Sequence, residues 1–253
     1  MKRIIFYVML IWSVSFILAD SAQEILAAVD ELIVFNNSDI SAEYKIVKRD
    51  PGGATTTNVT TIFRRDRTDQ FLILILEPVS DKGKGYLKTG DNLWLYDPIG
   101  KSFTFTSARE RLQNSSARIS DFTRSDYSAD YRAVRSSEEK LGVWDCTVLE
   151  LEATNDTVSF PKMKIWVSED NLIRKIEDYS MSGQKMRVSA IPQYQKIGDK
   201  WLPVKMVVLD YFRSKRINGK TEYERTTITI SRPSIALLPD SLFTKEYLER
   251  VNR

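Results

Sequence analysis

From Ile40 onward, hydrophobic and polar residues alternate along most of the chain with a period of two. Alternate side chains of a strand share a face, so this pattern predicts β-strands. Short turn sequences separate the strands, for example "DPGG" at residues 50–53 and "NGK" at residues 218–220. Parallel neighbours need long crossovers, so the predicted sheet is antiparallel and connected as a meander. The predicted strands are residues 41–49, 57–65, 70–76, 92–97, 102–106, 129–135, 144–153, 162–168, 172–179, 184–196, 202–212 and 222–231.

Helical spacing is confined to a few short segments. Ile25, Val29 and Leu32 form one apolar stripe and predict a helix over residues 21–35, where Ser21 and Glu24 have the spacing of a capping box. Residues 239–251 predict a second short amphipathic helix. The polar stretch "RERLQNSSARISDFTRSD", residues 109–126, predicts short helices or a mobile loop.

Two segments of the predicted sheet carry large apolar side chains on both faces of a strand. In residues 71–78, "FLILILEP", the residues on one face are Phe71, Ile73 and Ile75, and leucines occupy the other face. A strand of this kind must be covered on both faces. Periodicity leaves two architectures open: a β-sandwich, or a strongly curved sheet around a cavity with the N-terminal helix as a cover.

The second segment, residues 90–109, carries large aromatic side chains that must likewise be covered. Trp94 and Tyr96 share a face of one strand, and Phe103 and Phe105 share a face of the next. Such residues either pack in a core or line a cavity, and we predict that the aromatic-bearing faces line the cavity. The predicted lining residues are Phe71, Ile73, Ile75, Trp94, Tyr96, Phe103 and Phe105.

The first residues of the 253-residue chain have the pattern of an export signal. Lys2 and Arg3 precede a mostly apolar run that ends at Ala19 and is short for a membrane span. We predict a signal peptide over residues 1–19, cleaved after Ala19 or Ala22, followed by one domain over residues 20–253. The alternative is an uncleaved anchor.

Composition removes several classes of function. The formal charge of +3 includes the two cations of the signal, and no basic stripe remains to bind nucleic acid. The chain has no histidine and one cysteine, which excludes histidine-based triads and zinc sites. We predict no metal, no cofactor and no catalysis. A carboxylate hydrolase stays open as a third hypothesis, since 34 acidic residues supply chance pairs of carboxylates.

Several segments of the sequence resemble one family. The segment "EPVSDKGKGYLKTGDNLWLYDPIGK", a later "SDF", "GVWDCTVLELEA" and the closing "LPDSLFTKEYLER" resemble the outer-membrane lipoprotein-sorting (LolA/LolB-like) carriers of the bacterial periplasm, most nearly their larger spirochaetal forms. The resemblance implies a mainly β fold with a few helices, in which an antiparallel sheet forms a half-open barrel around an apolar cavity under a helical lid.

The resemblance also implies a function. A carrier of this family would shelter the acyl chains of lipoproteins in the cavity, receive them from an ATP-driven extractor in the inner membrane and deliver them to an outer-membrane acceptor. The alternative is a lipid-binding envelope protein, such as a sensor or glycolipid transporter, that carries no lipoprotein. Family carriers use an arginine of the barrel to hold the lid, and "FRRDR" offers Arg64, Arg65 and Arg67 without selecting one.

Overall fold

The structure is a computed structural model that describes residues 21–251. The predicted signal peptide lies outside the described residues. Thirteen strands form one antiparallel sheet with the order β6-β5-β4-β3-β2-β1-β13-β12-β11-β10-β9-β8-β7. The order is linear, so the sheet does not close into a barrel. This confirms the predicted fold class of an incomplete antiparallel barrel with a few helices. The sandwich alternative is wrong, because all strands of the described residues belong to one sheet.

The strands have the following bounds: β1 Asp39–Arg49, β2 Thr55–Arg65, β3 Gln70–Glu77, β4 Gly85–Thr89, β5 Asn92–Asp97, β6 Ser102–Phe105, β7 Tyr131–Leu141, β8 Trp144–Ala153, β9 Lys162–Ser168, β10 Ile173–Tyr179, β11 Lys185–Ile197, β12 Lys200–Ile217 and β13 Lys220–Ala236. The helices are α1 over residues 21–33, α2 Tyr127–Asp130 and α3 Lys245–Val251. Short 3-10 helices occupy Asp66–Thr68, Leu112–Asn114, Ile119–Phe122 and Asp240–Phe243.

The chain divides into two compact units. In the described residues, the first unit comprises residues 21–32 and 126–186, and the second comprises residues 33–125 and 187–251. The single domain predicted for residues 20–253 stays a prediction. No helix of residues 21–251 is long and apolar enough to cross a membrane.

The first unit contains strands β7 to β10 and most of α1. Asp30 of α1 accepts the backbone N–H groups of Tyr127 and Ser128 at 2.9 and 2.8 Å, which ties α1 to the start of α2. Burial raises the pKa of Asp30, and the hydrogen bonds from Ser128 and Tyr127 oppose that rise. The side-chain amide of Gln23 donates to the carbonyl oxygen of Ser128 at 2.7 Å.

The second unit contains β1 to β6 and nearly all of β11 to β13. Its sheet buries side chains on both faces, as the alternating pattern requires. We call the face that carries Tyr44, Ile46 and Ile73 the inner face, and the face that carries Leu72 and Leu87 the outer face. Burial of such side chains is the main stabilising contribution, at about 1.5–3 kcal/mol for each.

Candidate functional site

The inner face of the second unit is an apolar surface that crosses several strands. Ile46 of β1, Ile73 of β3, Val208 of β12 and Ile228 of β13 are all at most 1% exposed and belong to one hydrophobic cluster. Because β3 and β12 are far apart in sequence, this surface exists only once the sheet has formed.

Residues 106–125, which we call the cover segment, lie over the inner face. The buried side chains of the cover segment that join the inner cluster are Leu112, Ala117, Ile119 and Phe122. The ring of Phe122 meets the ring of Tyr44 edge-on, with 5.5 Å between the centroids. The cover segment therefore keeps water from the apolar sheet.

Charged and polar contacts attach the cover segment to the sheet. The guanidinium of Arg187 donates to both carboxylate oxygens of Asp121 at 2.7 and 2.6 Å, and each side chain is only 9% exposed. The hydroxyl of Ser116 donates to Glu224 at 2.6 Å, and its backbone N–H donates to the hydroxyl of Thr226 at 3.0 Å. Charge-assisted bonds of this kind are strong and directional.

A second set of anchors lies at the other end of the cover segment. Arg111 donates to the carboxylate of Asp210 on β12. Arg213 donates to Glu224 at 2.9 Å, and to the backbone and side-chain oxygens of Asn114 at 3.0 and 2.9 Å. The anchors of the cover segment are thus largely polar, whereas the surface beneath it is apolar.

A cleft opens beside the cover segment, with a cavity volume of about 60 Å³. Most of its lining residues are apolar, but polar atoms contribute almost as much of the exposed lining, with the Arg64 guanidinium and the Asp121 carboxylate as the charged groups. The lining residues are Ile33, Tyr44, Arg64, Asp121, Phe122, Thr123, Ser125, Leu202, Pro203, Met206 and Ile230. Burial raises the pKa of Tyr44; nearby Arg64 lowers it and Asp66 raises it further.

Arg64 contacts the cover segment and two segments beside it, the end of α1 and the short helix after β2. It lies opposite Phe71 on the inner face. Its Nη1 donates to the carbonyl oxygen of Thr123 at 3.3 Å, and its Nη2 donates to the carbonyl oxygen of Ile33 at 3.3 Å. The buried carboxylate of Asp66 orients the guanidinium, with 2.7 Å between Nε and Oδ1 and 3.0 Å between Nη2 and Oδ2.

The other two arginines of "FRRDR" have different contacts. Arg65 binds Asp39 and Asp240, and its guanidinium carbon lies 4.5 Å from the centre of the Phe243 ring. Arg67 pairs with Asp39. Of the three arginines, Arg64 is therefore the one whose described contacts include the cover segment.

The residues predicted to line a cavity lie on opposite faces of the sheet. Phe71, Ile73 and Ile75 are on the inner face, each at most 1% exposed, in the same cluster as the cover segment. Leu72 of the same strand points to the outer face. The inner three therefore lie under the cover segment, and their contact with a ligand stays a prediction.

Trp94, Tyr96, Phe103 and Phe105 are on the outer face. Cross-strand pairing places the Trp94 ring against Phe105 and the Tyr96 ring against Phe103 in tilted arrangements, with 3.8 and 4.7 Å between ring centroids. The ammonium of Lys245, on α3, lies 3.2 Å from the centre of the Trp94 ring. Tyr96 is buried, whereas Phe105 is 68% exposed. These four residues do not share a surface with the inner three.

The C-terminal segment covers the outer face. Leu242, Phe243 and Leu248 pack in one cluster with Leu72 and Leu87. The approach is close at Gly85, where a Cβ atom would lie 2.5 Å from Leu248 Cδ2. This contact explains a glycine within β4.

Comparison with known proteins identifies the fold. A family model described as "Uncharacterized protein" matches residues 67–250. A LolA superfamily protein from Nitrosomonas europaea has a TM-score of 0.74 and 25% identity, covering 89% of this chain and 98% of that one.

The chain belongs to that family and has a LolA-like fold. A putative outer-membrane lipoprotein-sorting protein domain from Vibrio parahaemolyticus has a TM-score of 0.75 and 20% identity, with 92% and 98% of the two chains covered. A DUF1329 family protein from Desulfovibrio piger has a TM-score of 0.78 and 19% identity, with 91% and 98% covered. The predicted resemblance is confirmed. No curated protein matches the chain significantly.

The sequence did not indicate the ion pair that holds the cover segment. Arg187 and Asp121 are 66 residues apart, and the resemblance of the "SDF" segment that contains Asp121 assigned no role to this carboxylate. The apolar residues Leu112, Ile119 and Phe122 within the polar stretch were the available signal that this segment packs on something. Among residues 21–251, no group of three or more Cys, Asp or Glu side chains could hold a metal ion.

Proposed function

We propose that this protein is a carrier that shelters acyl chains of lipoproteins on the inner face of its second unit. One observation carries the proposal: a continuous apolar surface is closed by a segment that is anchored to the sheet largely by polar groups. An acyl chain gains about 0.8 kcal/mol for each CH₂ removed from water, so a dry apolar surface would hold it without specific contacts.

The cleft is too small to hold an acyl chain while the cover segment lies on the inner face. Pockets for small ligands have about 300–1,000 Å³, whereas this cleft has about 60 Å³. An acyl chain would therefore have to displace the cover segment from the inner face. It would replace the contacts that Phe122 and Ile119 now make, so the apolar sheet would stay covered in both states.

We propose Arg64 as the latch of the cover segment. Its bond to the Thr123 carbonyl must break when the segment leaves, whereas its ion pair with Asp66 can persist. Asp66 also accepts the backbone N–H of Phe35 at 2.8 Å, which keeps the ion pair in place. Arg64 would then point its donors toward the carbonyl groups of an incoming acyl ester.

The location and partners of the carrier are proposed by analogy with proteins of the same fold. The Vibrio parahaemolyticus relative is described as an outer-membrane lipoprotein-sorting domain. By analogy, we propose that this chain works in the periplasm, without catalysis, between an ATP-driven extractor in the inner membrane and an acceptor in the outer membrane. The predicted signal peptide would provide the export.

The alternative is a lipid-binding envelope protein that carries no lipoprotein. It stays open because the Desulfovibrio piger protein, whose description names no cargo, shares the fold with a TM-score of 0.78. Native mass spectrometry of protein purified from its own envelope separates the two functions. An acylated peptide as the bound species supports the lipoprotein carrier, and a glycerolipid without a peptide supports the alternative.

A reversible lock on the cover segment tests the carrier mechanism. Ser116 and Thr226 are in contact, so the variant Ser116→Cys/Thr226→Cys, combined with Cys146→Ala, could close a disulfide between cover and sheet. Binding of a fluorescent fatty acid should fall at least about tenfold when the disulfide forms and recover on reduction. The two single-cysteine variants are the controls. Equal binding in the locked and reduced forms would reject the mechanism.

A second comparison decides which of the predicted residues bind the acyl chain. We propose that Phe71, Ile73 and Ile75 do, so Phe105→Glu and Phe103→Ala on the outer face should leave binding of the fluorescent fatty acid unchanged. Phe105 is 68% exposed, so its replacement should not unfold the protein. Loss of binding in Phe105→Glu, with an unchanged melting temperature, would move the site to the outer face.

A further inference from the structure

The two longest strands of the sheet extend beyond their neighbours. β11 pairs with β12 only as far as Asp210, and β1 pairs with β13 only from Arg225 onward. Beyond these points, and within residues 21–251, the strand pairs of residues 211–223 are with one another, from Ser214 opposite Tyr223 to Ile217 opposite Lys220. We call this projecting hairpin the ribbon.

A bulge at the base of the ribbon turns aromatic side chains toward solvent. The pairing of β12 and β13 is interrupted between Asp210 and Ser214. Asp210 Oδ1 accepts the backbone N–H groups of Phe212 and Arg213 at 2.9 and 3.3 Å, which holds the bulge in place. Phe212 is 51% exposed, and Tyr211 stacks on Tyr223 with 4.6 Å between ring centroids. Bulges commonly serve to redirect side chains in this way.

The ribbon is also cationic. Residues 211–223 contain Arg213, Lys215, Arg216 and Lys220 against the single acidic residue Glu222. Arg213 is paired with Glu224, whereas the other three cations are exposed and have no ion pair within the described part of the chain. Glu222 accepts the backbone N–H of Gly52 at 3.1 Å, so it is engaged elsewhere.

We propose that the ribbon docks this protein on the surface of an anionic lipid bilayer. Aromatic side chains among unpaired cations match the headgroup region, where rings enter the interface and lysines remain in the polar layer. The inference goes beyond the proposed function and does not depend on which ligand is carried.

Flotation with vesicles tests the proposal. The protein should float with vesicles made of equal parts of phosphatidylglycerol and phosphatidylcholine, and remain behind with pure phosphatidylcholine vesicles. Each basic residue near an anionic surface contributes roughly a fivefold gain in partitioning, so Lys215→Gln/Arg216→Gln/Lys220→Gln should lose about 100-fold. Phe212→Ser should lose roughly tenfold through its apolar contact alone.

The matched control removes three exposed cations of the sheet outside the ribbon, two on β1 and one on β12. Lys45→Gln/Arg49→Gln/Lys205→Gln makes the same change in net charge and should lose less than about fivefold. Equal losses in the two triple variants, or no flotation of the unaltered protein, would overturn the proposal; the latter result would point to an acidic protein as the partner. Fatty-acid binding by the ribbon variants should be unchanged. A failure of the docking proposal can therefore be distinguished from a failure of the carrier proposal.

Discussion

The two faces of the sheet in the second unit are covered in different ways. On the outer face, the C-terminal segment packs so closely that Gly85 leaves no room for a Cβ atom against Leu248. On the inner face, the cover segment is anchored by Arg187 and Arg64 and leaves a cleft beside it. Both covers shield apolar strands, and within the described residues a cleft lies beside the inner one.

This difference indicates which cover can leave its face of the sheet and return to it. Close apolar packing loses its contacts outright when it opens, because nothing replaces them in water. Polar anchors can instead bind water when the segment leaves, and an acyl chain can replace the apolar contacts beneath it. The outer face is therefore suited to stability and the inner face to a reversible function.

The largest expected effect separates the two covers by truncation. Leu248→Ala should lower the free energy of unfolding by about 3–4 kcal/mol, since Leu248 is fully buried in close packing. Phe122→Ala should cost only about 2 kcal/mol, because part of the ring borders the cleft. Urea denaturation measures both values. A larger cost for Phe122→Ala would contradict the distinction between the faces.

Loss of the main anchor should open only the inner cover. Arg187→Ala leaves the Asp121 carboxylate without its bidentate partner, a change worth about 3 kcal/mol in a buried pair. Amide hydrogens of residues 106–125 should then exchange roughly 100-fold faster, whereas those of α3 should not change. Arg187→Lys is the control and should exchange at an intermediate rate. Uniformly faster exchange across the second unit would mean that the pair supports the whole fold.

A methyl group at Gly85 probes the close approach on the outer face. Gly85→Ala places a Cβ atom against Leu248, and overpacking of this kind costs about 2 kcal/mol. Thermal denaturation should show the loss, and Gly85→Ala/Leu248→Ala should recover part of it. Binding of the fluorescent fatty acid should be the same in all three proteins. An additive double variant would argue against the contact.

The smallest expected effect is a pH dependence on the inner face. Burial raises the pKa of Tyr44, so the folded protein holds this proton more tightly than the unfolded chain does. Its contribution to stability is therefore constant below the unfolded-state pKa of about 10 and is lost as the pH rises through the raised folded-state pKa. Tyr44→Phe should remove this dependence in urea denaturation between neutral and alkaline pH. An unchanged dependence would assign it to another group.

The alternation of side chains was enough to predict twelve of the thirteen strands. The missing one is β4, Gly85–Thr89, where glycine and lysine leave only Tyr86 and Leu87 as apolar signals. The reason for Gly85 is the approach of Leu248, which lies 163 residues later and has no trace in local sequence.

The candidate site was predictable only in part. The sequence identified Phe71, Ile73 and Ile75 as sharing a face, and it named Arg64 as one of three possible latches. It did not reveal that Trp94 and Phe105 lie on the opposite face, because periodicity fixes which residues share a side but not which side two distant strands have in common. Cross-strand register supplies that information.

Asp210 has a consequence for communication within the second unit. The same carboxylate holds the bulge beneath the ribbon and receives Arg111 from the cover segment, and neighbouring Arg213 reaches Asn114 of that segment. An event that shifts the ribbon's base thus also changes the energy of the closed cover. Thermodynamic linkage makes this coupling reciprocal. If a bilayer increased the equilibrium constant for opening of the cover by some factor, the open protein would bind that bilayer more tightly than the closed protein by the same factor.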